Sequence, residues 1–228
     1  MRKSFKKIFA VLFCVGMVLV GSAGATIWNP TDEFSIDNGN PNGVWSYGYM
    51  QYSSNEGVTV FGNLTLLPYC TTNDYGRFWG MEGGDIPSIW MNDTSDVVEG
   101  VEAGQLALHP GWENKAVTLR WTAPTDITSK ISIVGEFFEG NIGEMLVGVL
   151  VNGSLVWSGV DCGTFDLTAS VSAGDTVDFV VYADYIAFGA TPIEVNITTI
   201  IPEPTTIALL GLGGLLLRKR YGYRKLKS

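Results

Sequence analysis

Residues 145–159 read MLVGVLV, then Asn152-Gly153, then SLVWSG. Two apolar, β-branched runs joined by Asn-Gly can hardly be anything but a β-hairpin, because both central residues of its tight turn need φ > 0 and few residue pairs tolerate that. The rest of the stretch from 26 to 200 agrees. Trp45-Ser-Tyr47-Gly-Tyr49 alternates large and small. Val117-Thr-Leu119-Arg120-Trp121 puts Val117, Leu119 and Trp121 on one face, and Thr118, Arg120 and Thr122 on the solvent face, where Arg120 can pair with a carboxylate. Strands are also expected in VTVFGNLTLL, ISIVGEFF, TFDLTASV, TVDFVVYA and IEVNITTI. No helical period interrupts them, and turn signals recur roughly every 8–12 residues, the spacing of a sandwich or barrel. The expected fold is all-β: an antiparallel two-sheet β-sandwich with jelly-roll-like topology. Residues 71–104, with six Gly and many acids, are the weakest strand region and are expected to form long loops.

The two ends differ from this body. Residues 1–25 have the order of a signal peptide: Arg2, Lys3, Lys6 and Lys7, an apolar stretch from Ile8 to Val20, then Ala23-Gly24-Ala25 for signal peptidase. Residues 201–228 place Pro202-Glu203-Pro204 before an apolar run, 205–217, and a basic end, 218–228, that begins Arg218-Lys219-Arg220. As a helix the apolar run would be about 20 Å long, short for a hydrocarbon core of about 30 Å unless the Arg and Lys reach the interface. Its cations would hold that end in the cytoplasm. The expectation is a signal helix at one end and a short transmembrane helix at the other, flanking the body at 26–200.

Charge separates the same three parts. Of 14 Lys and Arg, four precede residue 26 and six follow residue 200, which leaves Arg77, Lys115, Arg120 and Lys130. All 23 acidic residues except Glu203 lie in the body, so its formal charge is 4 − 22 = −18. Such a field repels phosphate backbones and excludes nucleic acid as a partner. It leaves loose binding of Ca²⁺ open, but no calcium-loop spacing names a ligand and any metal site is unknown. Cys70 and Cys162 are the two body cysteines; in an oxidising compartment they can form one disulfide or remain thiols.

Catalytic signals are sparse. His109 is the only histidine, and it precedes Pro110-Gly111 as a turn-packing residue would. There is no G-x-S-x-G, HExxH or CxxC, and no catalytic residue is assigned. With 22 acids in the body some carboxylate pair will lie close by chance, so their number does not indicate a glycosidase. The seven tryptophans are more informative. Trp45, Trp121 and Trp157 fall in alternating strands and are expected in the core. Trp79, Trp90 and Trp112 fall in Gly- and acid-rich segments, where an exposed indole face could stack on a sugar ring. Arg77, Glu82, Asp85, Asn92, Asp93, Glu113 and Asn114 lie beside them and are of the types that bond sugar hydroxyls.

The tail, with Pro202-Glu203-Pro204, an apolar run containing Gly211, Gly213 and Gly214, and Arg218-Lys219-Arg220, resembles the PEP-CTERM sorting signal. The resemblance implies a bacterial exosortase as partner, cleavage near the motif, export through the inner membrane with transient anchoring, and delivery to the cell surface or an exopolysaccharide matrix. The body carries LHPGWENKAVTLRWTAP from Leu108 to Pro124, NPNGVWSYG from Asn40 to Gly48, and Ala173-Gly174-Asp175. In these it resembles uncharacterised carbohydrate-binding-type jelly-roll domains of bacterial surface proteins. Together these features lead to an expectation of a secreted, non-catalytic protein that contacts glycan or exopolysaccharide. A passive matrix component and a polysaccharide hydrolase or lyase are the alternatives.

Overall fold

The computed structural model describes residues 24–83 and 85–200. The signal peptide and the sorting tail, with its motif, apolar run and basic end, lie outside the described residues. Thr26–Ile200 forms one compact unit. A two-residue strand β1 (Ile27–Trp28) and a single helical turn α1 (Pro30–Glu33), capped by the Asn29 side chain, precede the main strands. These are β2 (Trp45–Asn55), β3 (Val58–Leu66), β4 (Tyr69–Asn73), β5 (Gly76–Met81), β6 (Asp85–Asn92), β7 (Leu106–His109) and β8 (Lys115–Thr122). There follow β9 (Thr128–Phe137), β10 (Leu146–Val151), β11 (Ser154–Val160), β12 (Gly163–Ser172), β13 (Thr176–Tyr182) and β14 (Thr191–Ile200).

They make two antiparallel sheets, and the architecture is the expected β-sandwich. One sheet runs β12-β9-β14-β7-β6-β5-β4, with β1 added beside β14; the other runs β11-β10-β13-β8-β2-β3. From β7 onward the chain changes sheet at every connection except the β10–β11 hairpin. That hairpin turns at Asn152 (φ 49°) and Gly153 (φ 75°), the left-handed pair its sequence predicts.

The core lies between the sheets. Trp121 pairs with Trp45 on one side and Val177 on the other, and Leu119 likewise lies between Tyr47 and Phe179. All are fully buried, facing Ile131, Ile133, Phe137, Ile193 and Ile197 of the opposite sheet. Each such side chain contributes about 1.5–3 kcal/mol by leaving water. Trp157, expected in the core, is only partly buried and packs at its margin, stacked on Phe137.

Two expectations need correction. Residues 71–104 are not all loop: β5 and β6 are full strands and β4 begins just before them, while residues 93–104 form the expected long connection. Most of the acids of that stretch sit in its turns (Asp74, Glu82, Asp96, Glu99, Glu102), which left the strands apolar enough to pair. The second concerns the outer side of β8. Thr118 is fully buried, because Met50, Tyr52, Ala116, Leu150, Val180 and Tyr182 form a second apolar cluster there, with Phe61 and Leu64 folded against it. A bulge brings both of those side chains over: β3 spends four residues, Leu64 to Phe61, against three of β2, Met50 to Tyr52.

The two body cysteines, Cys70 and Cys162, are both free thiols. Cys70 is on β4, and Cys162 immediately precedes β12, the opposite edge of the same sheet. Six inter-strand spacings of about 4.8 Å separate those edges, far beyond the roughly 7 Å a disulfide allows between Cα atoms.

Candidate functional site

The outer face of β4–β7 carries a cleft of about 250 Å³. Its floor follows from the register. Phe78, Trp90 and Ala107 are cross-strand partners on β5, β6 and β7, and two residues along come Ser88 of β6 and its partner His109 of β7. Ile86 closes one end. Over the floor come Asn73 from the end of β4, Tyr75 from the β4–β5 turn, Glu99 from the β6–β7 connection, and Phe188 and Ala190 from the segment before β14.

The three expected tryptophans have separate fates. Trp79 is 6 % exposed, Trp90 7 % and Trp112 53 %. Trp79 points inward from β5, stacks on Tyr47 at 6.1 Å and donates Nε1–H to the Ser35 carbonyl at 2.8 Å, so it is a core residue. Trp90 points outward and lines the cleft, with Tyr75 leaning on it at 6.0 Å between ring centroids. Trp112 is exposed on the β7–β8 turn, whose Gly111 lies so close to Pro87 that a Cβ would fall 2.4 Å from its Cδ. The turn therefore abuts the Ile86 end of the cleft.

Several of the polar neighbours are committed elsewhere. Arg77 and Asp93 hold each other in a two-pronged ion pair, with Nε–Oδ2 and Nη2–Oδ1 both at 2.8 Å. That pair keeps the Asp93 carboxyl below the usual carboxylate range and raises Arg77. Asn92 is buried: its amide donates to the Asp96 and Val101 carbonyls while its oxygen accepts from Thr94. Lys115 pairs with Glu113 at 3.0 Å, and Asp85 accepts from the Ile86 N–H.

Tyr75 and Phe188 carry the aromatic rim, and sequence alone does not single them out. Phe188 is 54 % exposed with φ 61°, and Glu99 has φ 50°. Left-handed backbone at a bulky non-Gly residue is uncommon and gathers at functional sites. Phe188 is kept in place by its neighbours: its carbonyl accepts from Gly143 N–H at 3.1 Å, and the next amide, Gly189, donates to His109 Nε2 at 3.3 Å. Glu99 accepts from the Asn141 amide.

His109 is a packing residue rather than a base. Nδ1 bonds the Pro110 carbonyl at 2.8 Å, which fixes the proton there and leaves the Nε2 lone pair to Gly189. Burial pushes the imidazole below the usual histidine range, against the pull of that bond and of Glu99 and Asp85. Among the described residues no group of three or more His, Cys, Asp or Glu is placed to hold a metal ion. The lining places the aromatic faces of Tyr75, Trp90 and Phe188 beside the polar edges of Asn73, Ser88 and Glu99, an arrangement that can enclose a small ring.

No protein family matches the chain, and no curated protein matches it. Solved structures do. The CBM51 module of Clostridium perfringens GH95, in complex with methyl-galactose, shares 11 % identity over 75 % of this chain and 99 % of its own, with a TM-score of 0.34. CBM35 from Paenibacillus barcinonensis shares 15 % identity over 56 % of this chain and 100 % of its own, with a TM-score of 0.29. A family 35 carbohydrate binding module from Clostridium thermocellum shares 12 % over 40 % and 76 %, with a TM-score of 0.28. Similarity at this level assigns no ligand to this chain.

Proposed function

We propose that this chain is an exported, non-catalytic glycan-binding module. The observation that carries the reading is the cleft over β4–β7, where Tyr75, Trp90 and Phe188 surround a volume suited to about one sugar ring. Its polar lining is Asn73, Ser88, Glu99 and His109, without a cation, and the body around it has a formal charge of −18. A neutral sugar therefore fits better than a uronate or a sulfated ring, which would need a bridging Ca²⁺. The occupied nitrogens of His109 support a binding rather than a catalytic role. The ends of the chain extend the proposal: signal peptidase removes residues 1–25, and an exosortase reads Pro202-Glu203-Pro204 and passes the body to the cell surface or an exopolysaccharide matrix.

Titration of residues 26–200 with neutral oligosaccharides and with matrix exopolysaccharide, followed by Trp fluorescence and calorimetry, tests the reading. Phe188→Ala and Tyr75→Ala each remove a stacking face and should weaken binding by about tenfold or more, with the melting temperature held. Trp112→Ala, outside the cleft, should bind as the unaltered protein does. Absence of binding to any neutral glycan would return the protein to a passive matrix role.

A further inference from the structure

We infer that His109 is a positioning residue for the cleft: as a neutral imidazole it holds Gly189, and with it Phe188, at the rim, and protonation releases that segment. The ligand arm of this inference rests on the glycan reading above; the latch itself does not.

The geometry has three parts. His109 sits on the cleft floor beside Ser88, on β7, a strand paired on both sides by β6 and β14. Its Nδ1 is fixed by the Pro110 carbonyl at 2.8 Å, so Nε2 can only accept. The donor is the Gly189 N–H at 3.3 Å, one residue beyond the exposed ring of Phe188. A second proton on the ring would sit on Nε2 and set one donor against another, and the bond would become a repulsion. Gly189 is closely packed where a side chain would stand: a Cβ there would lie 2.8 Å from Met145 Sδ and 2.9 Å from the Ile186 carbonyl. The remaining ties on this residue pair are the Gly143 bond to the Phe188 carbonyl and the Thr191 hydroxyl, which donates to the Gly189 carbonyl at 3.2 Å.

The charged groups around the ring are both acidic. Glu99 comes from the β6–β7 connection and Asp85 from the start of β6, and both favour the imidazolium; burial opposes it and prevails. Asp184 and Tyr185, the titratable residues of the segment that carries Phe188, make no hydrogen bond to the ring among the described residues. The charged form is therefore reached below the ordinary histidine value of about 6.5, and the latch is closed at neutral pH.

The test uses the exported protein and reads the latch and the ligand separately. Amide hydrogen exchange gives the protection of Gly189 at pH 7.5 and pH 5, and ¹⁵N spectra of the imidazole give its tautomer and titration. The expected result is a proton on Nδ1 at pH 7.5 and a loss of Gly189 protection of about tenfold or more at pH 5, after correction for intrinsic exchange. His109→Gln keeps an acceptor that does not titrate and should flatten the profile; His109→Leu should be unprotected at both values. Binding of the neutral glycan found in the titration should weaken over the same interval in the unaltered protein only. An Nε2–H tautomer, or equal protection at both values, overturns the latch. Binding that ignores pH while Gly189 opens overturns its coupling to the cleft. No glycan binding at any pH sinks the glycan reading alone, and the latch then stands or falls on the exchange data.

Discussion

Arg120 grips Asp178 with both prongs of its guanidinium, Nε to Oδ1 at 2.6 Å and Nη2 to Oδ2 at 3.0 Å, directly across the β8–β13 ladder. Asp178 is fully buried and Arg120 is its only hydrogen-bonding side chain among the described residues. Alternation places Arg120 on a solvent face, and at such a face its loss would cost little. The second apolar cluster changes that, because it strands the carboxylate when the arginine is removed.

Arg120→Gln should therefore destabilise the fold by about 3–5 kcal/mol in urea unfolding at pH 7, whereas the double change Arg120→Met with Asp178→Leu should be close to neutral. The pH dependence has a definite sign. Burial raises the Asp178 carboxyl above its ordinary value, with Arg120 pulling the other way. A raised acid binds its proton more readily when folded, so stability gains as pH falls toward the unfolded value near 3.8. Without Arg120 the rise is larger, and the defect of Arg120→Gln should shrink between pH 7 and pH 4. A defect that stays constant would show that Asp178 is solvated in the variant.

Trp121→Ala and Trp112→Ala should differ sharply. The first empties a site closed by Trp45, Val177 and Trp28 and should cost about 3–5 kcal/mol. The second removes an indole from an exposed turn and should change stability by no more than about 0.5 kcal/mol. Thermal unfolding by circular dichroism separates the two.

The cysteines predict a simple count. Alkylation of the denatured mature protein without reductant should label both Cys70 and Cys162. In the native protein Cys162, which is exposed, should react first; Cys70 is partly buried with its thiol 3.6 Å from the Ile36 carbonyl. A mass two protons lighter that resists alkylation would mean that a disulfide had formed against this geometry.

Sorting predicts a truncation. If an exosortase reads the tail, mass spectrometry of the extracellular protein should lack the segment Leu215–Ser228, and Glu203→Ala should leave full-length tail in the inner membrane. Intact tail on extracellular protein would sink the proposal.

The strands most legible in sequence are those whose two faces differ or whose turn is unmistakable. Asn152-Gly153 defined β10 and β11, and the Val117, Leu119, Trp121 triplet defined an inner face. β5 and β6 were hidden because both of their faces are covered, so Phe78 and Trp79 sit side by side with no alternation to read. The same cause put Trp79 in the core despite its Gly- and acid-rich surroundings. Of the cleft, only Trp90 was foreseeable as an aromatic contact. Tyr75 and Phe188 meet there because β14 returns beside β7, and nothing local in either segment announces a meeting across more than a hundred residues.

β14 has one further consequence, a mechanical one. Ala190 lines the cleft and Ile200 ends the strand that follows, so a single run of ten residues, about 33 Å long, connects the cleft to the point where the tail leaves. It is an interior strand, held by β9 from Ile193 to Ile200 and by β7 and β1 along parts of its other edge. Tension between a captured polymer and an anchored tail would act along those ladders in shear, loading their hydrogen bonds together instead of one after another. On the proposed function, β14 would serve as a strain-bearing link between matrix and cell.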